Sequence, residues 1–290
     1  MYTDKSYMYT ALFDQRARHM AEPAAEKDGA APRVIATEDR AVLQITLCNP
    51  GKLNALTAEM WVSLRREFQS LIERRDIRCV VVTGAGTDAF AAGADISEFE
   101  ALRNTPDQVE RYHEETVPAA LDAIAACDIP VVAAIRGACI GGGLEIAAVC
   151  DIRLCNTAAR LGAPVGRLGF PMAPRELQYL IRAFGGAVVA ELLLQGTVFD
   201  APQALRTGIV SEVADDAIFE STLNRTVEQI CRGSPLAARF NKRLIRKLLD
   251  QAGLPSLAER RELYQFANSD DYRAGRAAFL EKRSPVFTGT

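Results

Sequence analysis

The stretch from Ile129 to Asn156, IPVVAAIRGACIGGGLEIAAVCDIRLCN, constrains the fold more than any other part of the chain. Val131 to Ile135 are β-branched or small, with no polar alternation. That is the pattern of a strand buried on both faces, as in parallel sheets covered by helices. The chain breaks at Gly137, and Gly141, Gly142 and Gly143 then open a helix. Without Cβ atoms the backbone turns sharply there and brings its N–H groups close to a ligand. At a helix start those groups have no intrahelical acceptor and sit at the positive end of the helix dipole. They suit an oxygen that carries or develops negative charge. Glu145, the only acid between Asp128 and Asp151, follows in the first turn. A carboxylate beside such a junction is a candidate acid or base. Taken locally, the same glycines also serve close packing, and the dipole alone favours a first-turn glutamate.

The rest of the chain repeats this grammar. Val34 to Ala36 and Val42 to Leu47 flank the polar turn Thr37 to Arg40, a hairpin pattern. Thr57 caps a helix in which Met60, Trp61, Leu64, Phe68, Leu71 and Ile72 recur at helical spacing. Ile77 to Thr83 is a second buried strand, ended by Gly84-Ala85-Gly86. The small-residue loop DAFAAGAD leads from there to a helix that Asp95 or Ser97 caps, and 106–127 is helical in pattern. Strand, glycine turn and helix therefore occur twice, and two such junctions can face one ligand atom from two directions. Further strands are expected at Asp151 to Cys155, 160–162 and Ile209 to Val213, with helices over 175–184, 187–194 and 202–207. The alternation predicts an α/β fold with parallel crossovers. Residues 1–32 read as an N-terminal extension, mobile at least in part. The core spans 33–215. A helical region over 216–290 is either a cap on the same subunit or an oligomerisation arm.

Several functions are disfavoured. Thirty-four basic against thirty-seven acidic residues give a net charge of -3, with no basic field for nucleic acid. The most apolar segment is interrupted by Arg136, Glu145, Asp151 and Arg153, so no membrane span is expected. The N-terminus shows no apolar signal core, so a cytoplasmic protein is expected. Seven cysteines without a CxxC pair read as buried, reduced thiols. With His19 and His113 as the only histidines, no histidine-based metal site is expected. His113 matches no catalytic spacing and is expected on a polar helix face.

Five blocks carry a family resemblance: NPGKLNALTAEM, TGAGTDAFAAGADISEF, GACIGGGLEIAAVCDIRL, ELLLQGTVFDAPQALRTGIVSEV and SDDYRAGRAAFLEKRSPVF. In this order they resemble the crotonase superfamily, the enoyl-CoA hydratase/isomerase family, from about Arg33 to Phe287. The resemblance implies a spiral of repeated strand-strand-helix turns with a C-terminal helical oligomerisation region. It also implies a homotrimer or dimer of trimers, and a substrate carried as a coenzyme A thioester with no separate cofactor. By the same resemblance, the Ala94 and Gly142 N–H groups hold the thioester oxygen as it becomes an enolate, and Glu145 is the acid or base. Lys52, Leu53 and Ala55, continued by Asp95, Ile96 and Ser97, line the coenzyme end, Gly141 adjoins the oxygen site, and Lys282 with Arg283 reaches coenzyme phosphates.

One expected group is missing. Hydratases of this family carry a second glutamate in a PE dipeptide about twenty residues after the first, where this chain has Pro164-Val165. The dienoyl isomerases' aspartate is replaced by Ala173. Glu176, Glu98 or Arg167 are the candidates to compensate, the last by holding a substrate carboxylate. The sequence thus points to an acyl-CoA enzyme of the hydratase or isomerase type. Isomerase, decarboxylase or hydrolase activity, or a catalytically quiet coenzyme A-binding subunit, stay open. Phe170, Pro171 and Met172 beside the missing acid suggest a hydrophobic acyl chain.

Overall fold

A computed structural model describes residues 31–250, 256, 258, 261 and 264–290. The expected extension over 1–32 therefore lies almost wholly outside the described residues. The chain opens with β1 (Arg33–Asp39) and β2 (Val42–Cys48), paired antiparallel from Arg33↔Cys48 to Asp39↔Val42. The strands run longer than the hairpin pattern suggested, because Arg40 takes a left-handed conformation (φ 54°) and closes a shorter turn. Helix α1 (Ala58–Gln69) follows, with the Thr57 hydroxyl accepting from Met60 N–H as its cap.

Three rounds of one motif come next. The first is β3 (Cys79–Gly84), β4 (Ala89–Ala91) and a helical segment of α2 (Phe99–Leu102), α3 (Pro106–Arg111), a π-helical turn over Tyr112–Thr116 and α4 (Val117–Ala126). The second is β5 (Val131–Ile135), β6 (Ala138–Ile140) and α5 (Gly142–Val149). The third is β7 (Ile152–Asn156), β8 (Arg160–Gly162) and α6 (Pro174–Phe184). Within these rounds the odd and even strands go to different sheets. The larger sheet has the order β1-β2-β3-β5-β7-β10, parallel beyond its first pair; β10 is Glu212–Ala214. The smaller sheet runs β4-β6-β8-β9, with β9 at Val198–Asp200. Each round thus contributes a strand to each sheet and then a helix, the spiral implied by the resemblance.

The short strands β4 and β6 correct the expected strand–glycine turn–helix order. Glycine makes the step between sheets possible. A Cβ at Gly84 would lie 2.1 Å from Ala89 O, and one at Gly137 (φ 58°) 1.9 Å from Asp88 O. The chain crosses at both points with backbone against backbone.

Burial on both faces of the large sheet has a concrete origin. Val80, Val82, Val131, Ala133 and Ile135 face a core shared with Trp61, Leu64 and Phe68 of α1 and Leu121 and Ile124 of α4. The alternate residues Cys79, Val81, Val132 and Ala134 face Phe219, Leu223 and Val227. These last belong to α9 (Asp216–Arg232), which follows α7 (Gly186–Leu194) and α8 (Ala201–Arg206). Next is α10 (Pro235–Asp250), where Arg239 donates to Arg74 O and Ile77 O, and Lys242 pairs with Asp151 at 2.6 Å. The start of the C-terminal region is therefore a cap on its own subunit. The last helix is α11 (Asp270–Leu280).

Among the described residues no helix is long and apolar enough to cross a membrane. Five cysteines are buried, two are half-buried, and none is bonded to another.

Candidate functional site

The two loop–helix junctions converge. At the first, Leu56 N–H donates to Gly93 O (2.7 Å) and Asp95 N–H to Leu56 O (2.9 Å), clamping the backbone on both sides of Ala94. At the second, Gly141 (φ 50°, ψ -115°) precedes α5 and donates its N–H to Gly162 O at 2.9 Å, which fixes the entry of the helix. Gly142 is the first helical residue, too early to find an acceptor within the helix. Neither Ala94 N–H nor Gly142 N–H donates to another described residue. Both residues line one cavity of about 280 Å³. Two preset donors left unpaired in a cavity can bind an oxygen that gains charge during a reaction.

Glu145, one turn into α5, lines the same cavity. It is only 6% exposed, and its carboxyl has no hydrogen-bond partner among the described residues. Burial pushes its pKa well above the usual carboxyl value, and the nearby charge of Glu176 pushes the same way; His113 and Arg103 oppose it. A buried acid without a partner is costly to a fold, which makes a chemical use the physical explanation for it.

Two further lining groups come from elements far apart in sequence. Glu176 lies in the first turn of α6 and is buried. Its carboxyl lies 2.6 Å from Nδ1 of His113 on the π-helical turn. Burial raises the Glu176 carboxyl to about 7, against the lowering effect of Arg103 and the Ala173 N–H. Burial and the Arg103 charge lower His113. The expectation that His113 occupies a polar helix face is thus corrected: it lines the cavity, half-buried. No sequence spacing signals this, because the pair spans 63 positions and depends on a π-helical turn. Arg103 stands beside the pair with its guanidinium 3.6 Å from the Tyr112 ring centroid. The Tyr112 hydroxyl in turn accepts from Trp61 Nε1 at 3.1 Å.

Among the other expected residues, Ile96, Gly141 and Val165 line the cavity, together with Phe170 and Met172. Val165 begins a short 3-10 turn and presents an apolar side chain. Lys52, Leu53, Ala55, Asp95 and Ser97 do not line it but belong to the segments that lead to Ala94 and α1. Lys52 Nζ bridges Asp95 (2.8 Å) and Ser97 Oγ (2.9 Å). Burial would raise the Asp95 carboxyl, but hydrogen bonds from Lys52, Ser97 and Asn49 together hold it at about 2. Leu53 and Asn54 take positive φ (50° and 56°), a conformation tied down by Asn54 Nδ2 donating to Ala85 O and Ala89 O. The NPGKLNAL block therefore keeps a strained turn beside the first junction.

The remaining expected residues are placed as follows in the fold. Glu98 accepts from Ala58 N–H at 2.8 Å, serves the start of α1, and is absent from the cavity lining. Arg167 reaches the cavity but donates to Gly196 O. Lys282 is exposed after α11 and does not line the cavity.

A larger cavity, about 670 Å³, lies between α10, α11 and Phe287. Its one carboxylate among the described residues, Asp271, already accepts from Ser234 Oγ, Thr288 N–H and Gly289 N–H, so among them it presents no acid–base group comparable to Glu145. Among the described residues no cluster suits a metal ion.

The chain resembles known proteins over most of its length. The sequence profile of the family described as enoyl-CoA hydratase/isomerase matches residues 37–290. A probable enoyl-CoA hydratase of Mycobacterium tuberculosis is 34% identical over 258 residues, covering 88% of this chain and 97% of the relative. The 2,3-dehydroadipyl-CoA hydratase of Escherichia coli is 31% identical, covering 88% of this chain and 98% of the relative. The crystal structure of an enoyl-CoA hydratase/carnithine racemase from Magnetospirillum magneticum superposes with a TM-score of 0.86. It is 40% identical, covering 89% of this chain and 96% of that one.

Proposed function

Since the chain belongs to the enoyl-CoA hydratase/isomerase family and is an acyl-CoA enzyme of it, we propose that it forms and protonates a thioester enolate in the cavity at Ala94 and Gly142. The thioester oxygen lies between the two N–H groups, and Glu145 exchanges a proton at the alpha carbon. One observation carries this reading: an unpartnered buried carboxyl and two unpartnered N–H groups line the same cavity. The charge of an enolate appears on the thioester oxygen, so donors fixed there stabilise the transition state more than the ground state. Glu145, held protonated by burial, donates to the alpha carbon in one direction and takes the proton back in the other.

The overall reaction is hydration of a 2-enoyl thioester and its reverse. The acyl chain lies against Phe170, Met172 and Val165, an apolar wall suited to a hydrocarbon chain. The coenzyme runs out past Ile96 toward the Lys52–Asp95–Ser97 cluster. Exposed Ile245, Leu249 and Leu280 on α10 and α11 are the surfaces by which subunits form a homotrimer or dimer of trimers.

The test is deuterium uptake at the alpha carbon of butanoyl- or octanoyl-coenzyme A in heavy water, followed by NMR. Wild-type protein is expected to exchange that proton and Glu145→Gln to lose the exchange while still binding the thioester. Exchange by Glu145→Gln at the wild-type rate overturns the assignment.

A further inference from the structure

The cavity has an acid on the α5 side and, at Val165, no base on the wall where the sequence pattern places one. Water addition needs both: a group that gives a proton to the alpha carbon and a group that takes one from the attacking water. We propose that His113, oriented by Glu176, is the second proton-transfer group, so that an imidazole–carboxylate pair replaces the missing carboxylate. This rests on the enolate reading above and extends it.

Four observations support the pair. His113 and Glu176 both line the cavity that contains Glu145. Their contact is short, 2.6 Å between Nδ1 and a carboxylate oxygen. Glu176 is buried in the first turn of α6, which restricts where its carboxyl can lie. Nε2 of His113 has no hydrogen-bond partner among the described residues. When Nδ1–H donates to Glu176, the imidazole is held in the tautomer whose Nε2 lone pair accepts a proton. The carboxylate also balances the charge that His113 gains, as a buried carboxylate does for a catalytic histidine in acyl transfer.

The charged groups around the pair fit this use. Arg103 and Glu114 act on His113 and Glu176 with opposite signs, and Glu145 acts on His113. Tyr112 packs edge-on against the imidazole with centroids 5.1 Å apart. The Glu176 charge raises the Glu145 carboxyl, which keeps the acid protonated while the pair is basic.

The step balances as follows. Nε2 of His113 takes a proton from water as the oxygen bonds to the beta carbon. The π electrons of the alpha–beta bond move to the thioester oxygen, held by the Ala94 and Gly142 N–H groups. The enolate then collapses, and the alpha carbon takes its proton from Glu145. One proton has entered His113 and one has left Glu145. Exchange with solvent restores both, and the net change is one water added to the double bond. Glu176 touches no reacting atom and is a positioning residue.

The test compares two reactions of the intact protein. Hydration is followed with 2-butenoyl- and 2-octenoyl-coenzyme A, and alpha-proton exchange with the corresponding saturated thioesters in heavy water. Exchange requires the enolate site and Glu145; hydration also requires the pair. His113→Asn and Glu176→Gln are expected to lose hydration by roughly 100- to 10,000-fold in kcat, with KM little changed, while exchange falls far less. In the wild type, the acid limb of the kcat/KM profile reports protonation of the pair, and Glu176→Gln displaces that limb. Hydration within a few-fold of wild type in either variant overturns the proposal, and so does a parallel fall of both reactions, which marks a structural role. Wild-type exchange without hydration overturns the pair alone; absence of both overturns the enolate reading with it.

Discussion

The two walls of the cavity are built by different means. One wall is backbone: Ala94 and Gly142 offer N–H groups at junctions whose glycines let chain segments approach each other. The other wall is side chain: His113 and Glu176 meet because α6 and a π-helical turn bring them together at the same cavity. A backbone wall survives most substitutions except added bulk. A side-chain wall is lost by changing one group, and it can also be rebuilt from another position. On the proposed reading, this contrast lets the site keep its oxygen-binding half in the expected place while the second proton-transfer group comes from another position.

The largest effect is expected at the backbone wall. Gly142→Leu places a Cβ 2.9 Å from Trp61 and 3.0 Å from Leu56, so either the helix start or the indole must move. Losing one preset donor costs about 100- to 1000-fold in kcat, and here distortion adds to it. Steady-state kinetics on 2-butenoyl-coenzyme A will measure the loss; a variant of unaltered rate would break the comparison at its stronger side.

Val165→Glu in the Glu176→Gln background tests whether the side-chain wall can be rebuilt. Val165 already lines the cavity, so a carboxylate there should restore part of the hydration rate, on the order of tenfold or more. No recovery would mean that the wall depends on the imidazole itself.

Glu145→Gln should raise thermal stability while abolishing exchange. Its carboxyl titrates higher in the folded protein than its ordinary value near 4.5. The folded state therefore holds the extra proton. The stability this contributes is full below the unfolded value and is lost as pH rises through the raised folded value. Calorimetry should show the variant gaining Tm relative to wild type at pH 8 and little or nothing at pH 4. An equal gain at both would contradict the burial of an ionisable acid.

The smallest effect is expected outside both walls. Lys52→Ala removes the ion pair to Asp95 and the contact to Ser97. Because Lys52 is about half exposed, the loss should appear as a rise in KM of a few-fold, in line with about 1 kcal/mol for such pairs. Titration with a coenzyme A thioester checks it, and a large fall in kcat would place this cluster in the chemistry.

What could be read without the structure follows the same division. The buried strands at Val131 to Ile135 and near Val80, the Thr57 cap and the glycine junction before Glu145 are local patterns, set by neighbours within a few positions, and they appear where expected. The short strands β4 and β6 escaped notice because three residues are too few to show a period. Glu176 stood among the candidates for the missing acid only because it was an acid near the right segment. Its buried position and its partner had no local signature.

The sequence by itself determined the buried strands, the two loop–helix junctions and the acid that follows the second, because each rests on the residue types of a short segment. Only the tertiary structure decided which side chains share the cavity with Glu145. His113 and Glu176 are 63 positions apart, and their contact exists only once α4 and α6 have packed around the same core.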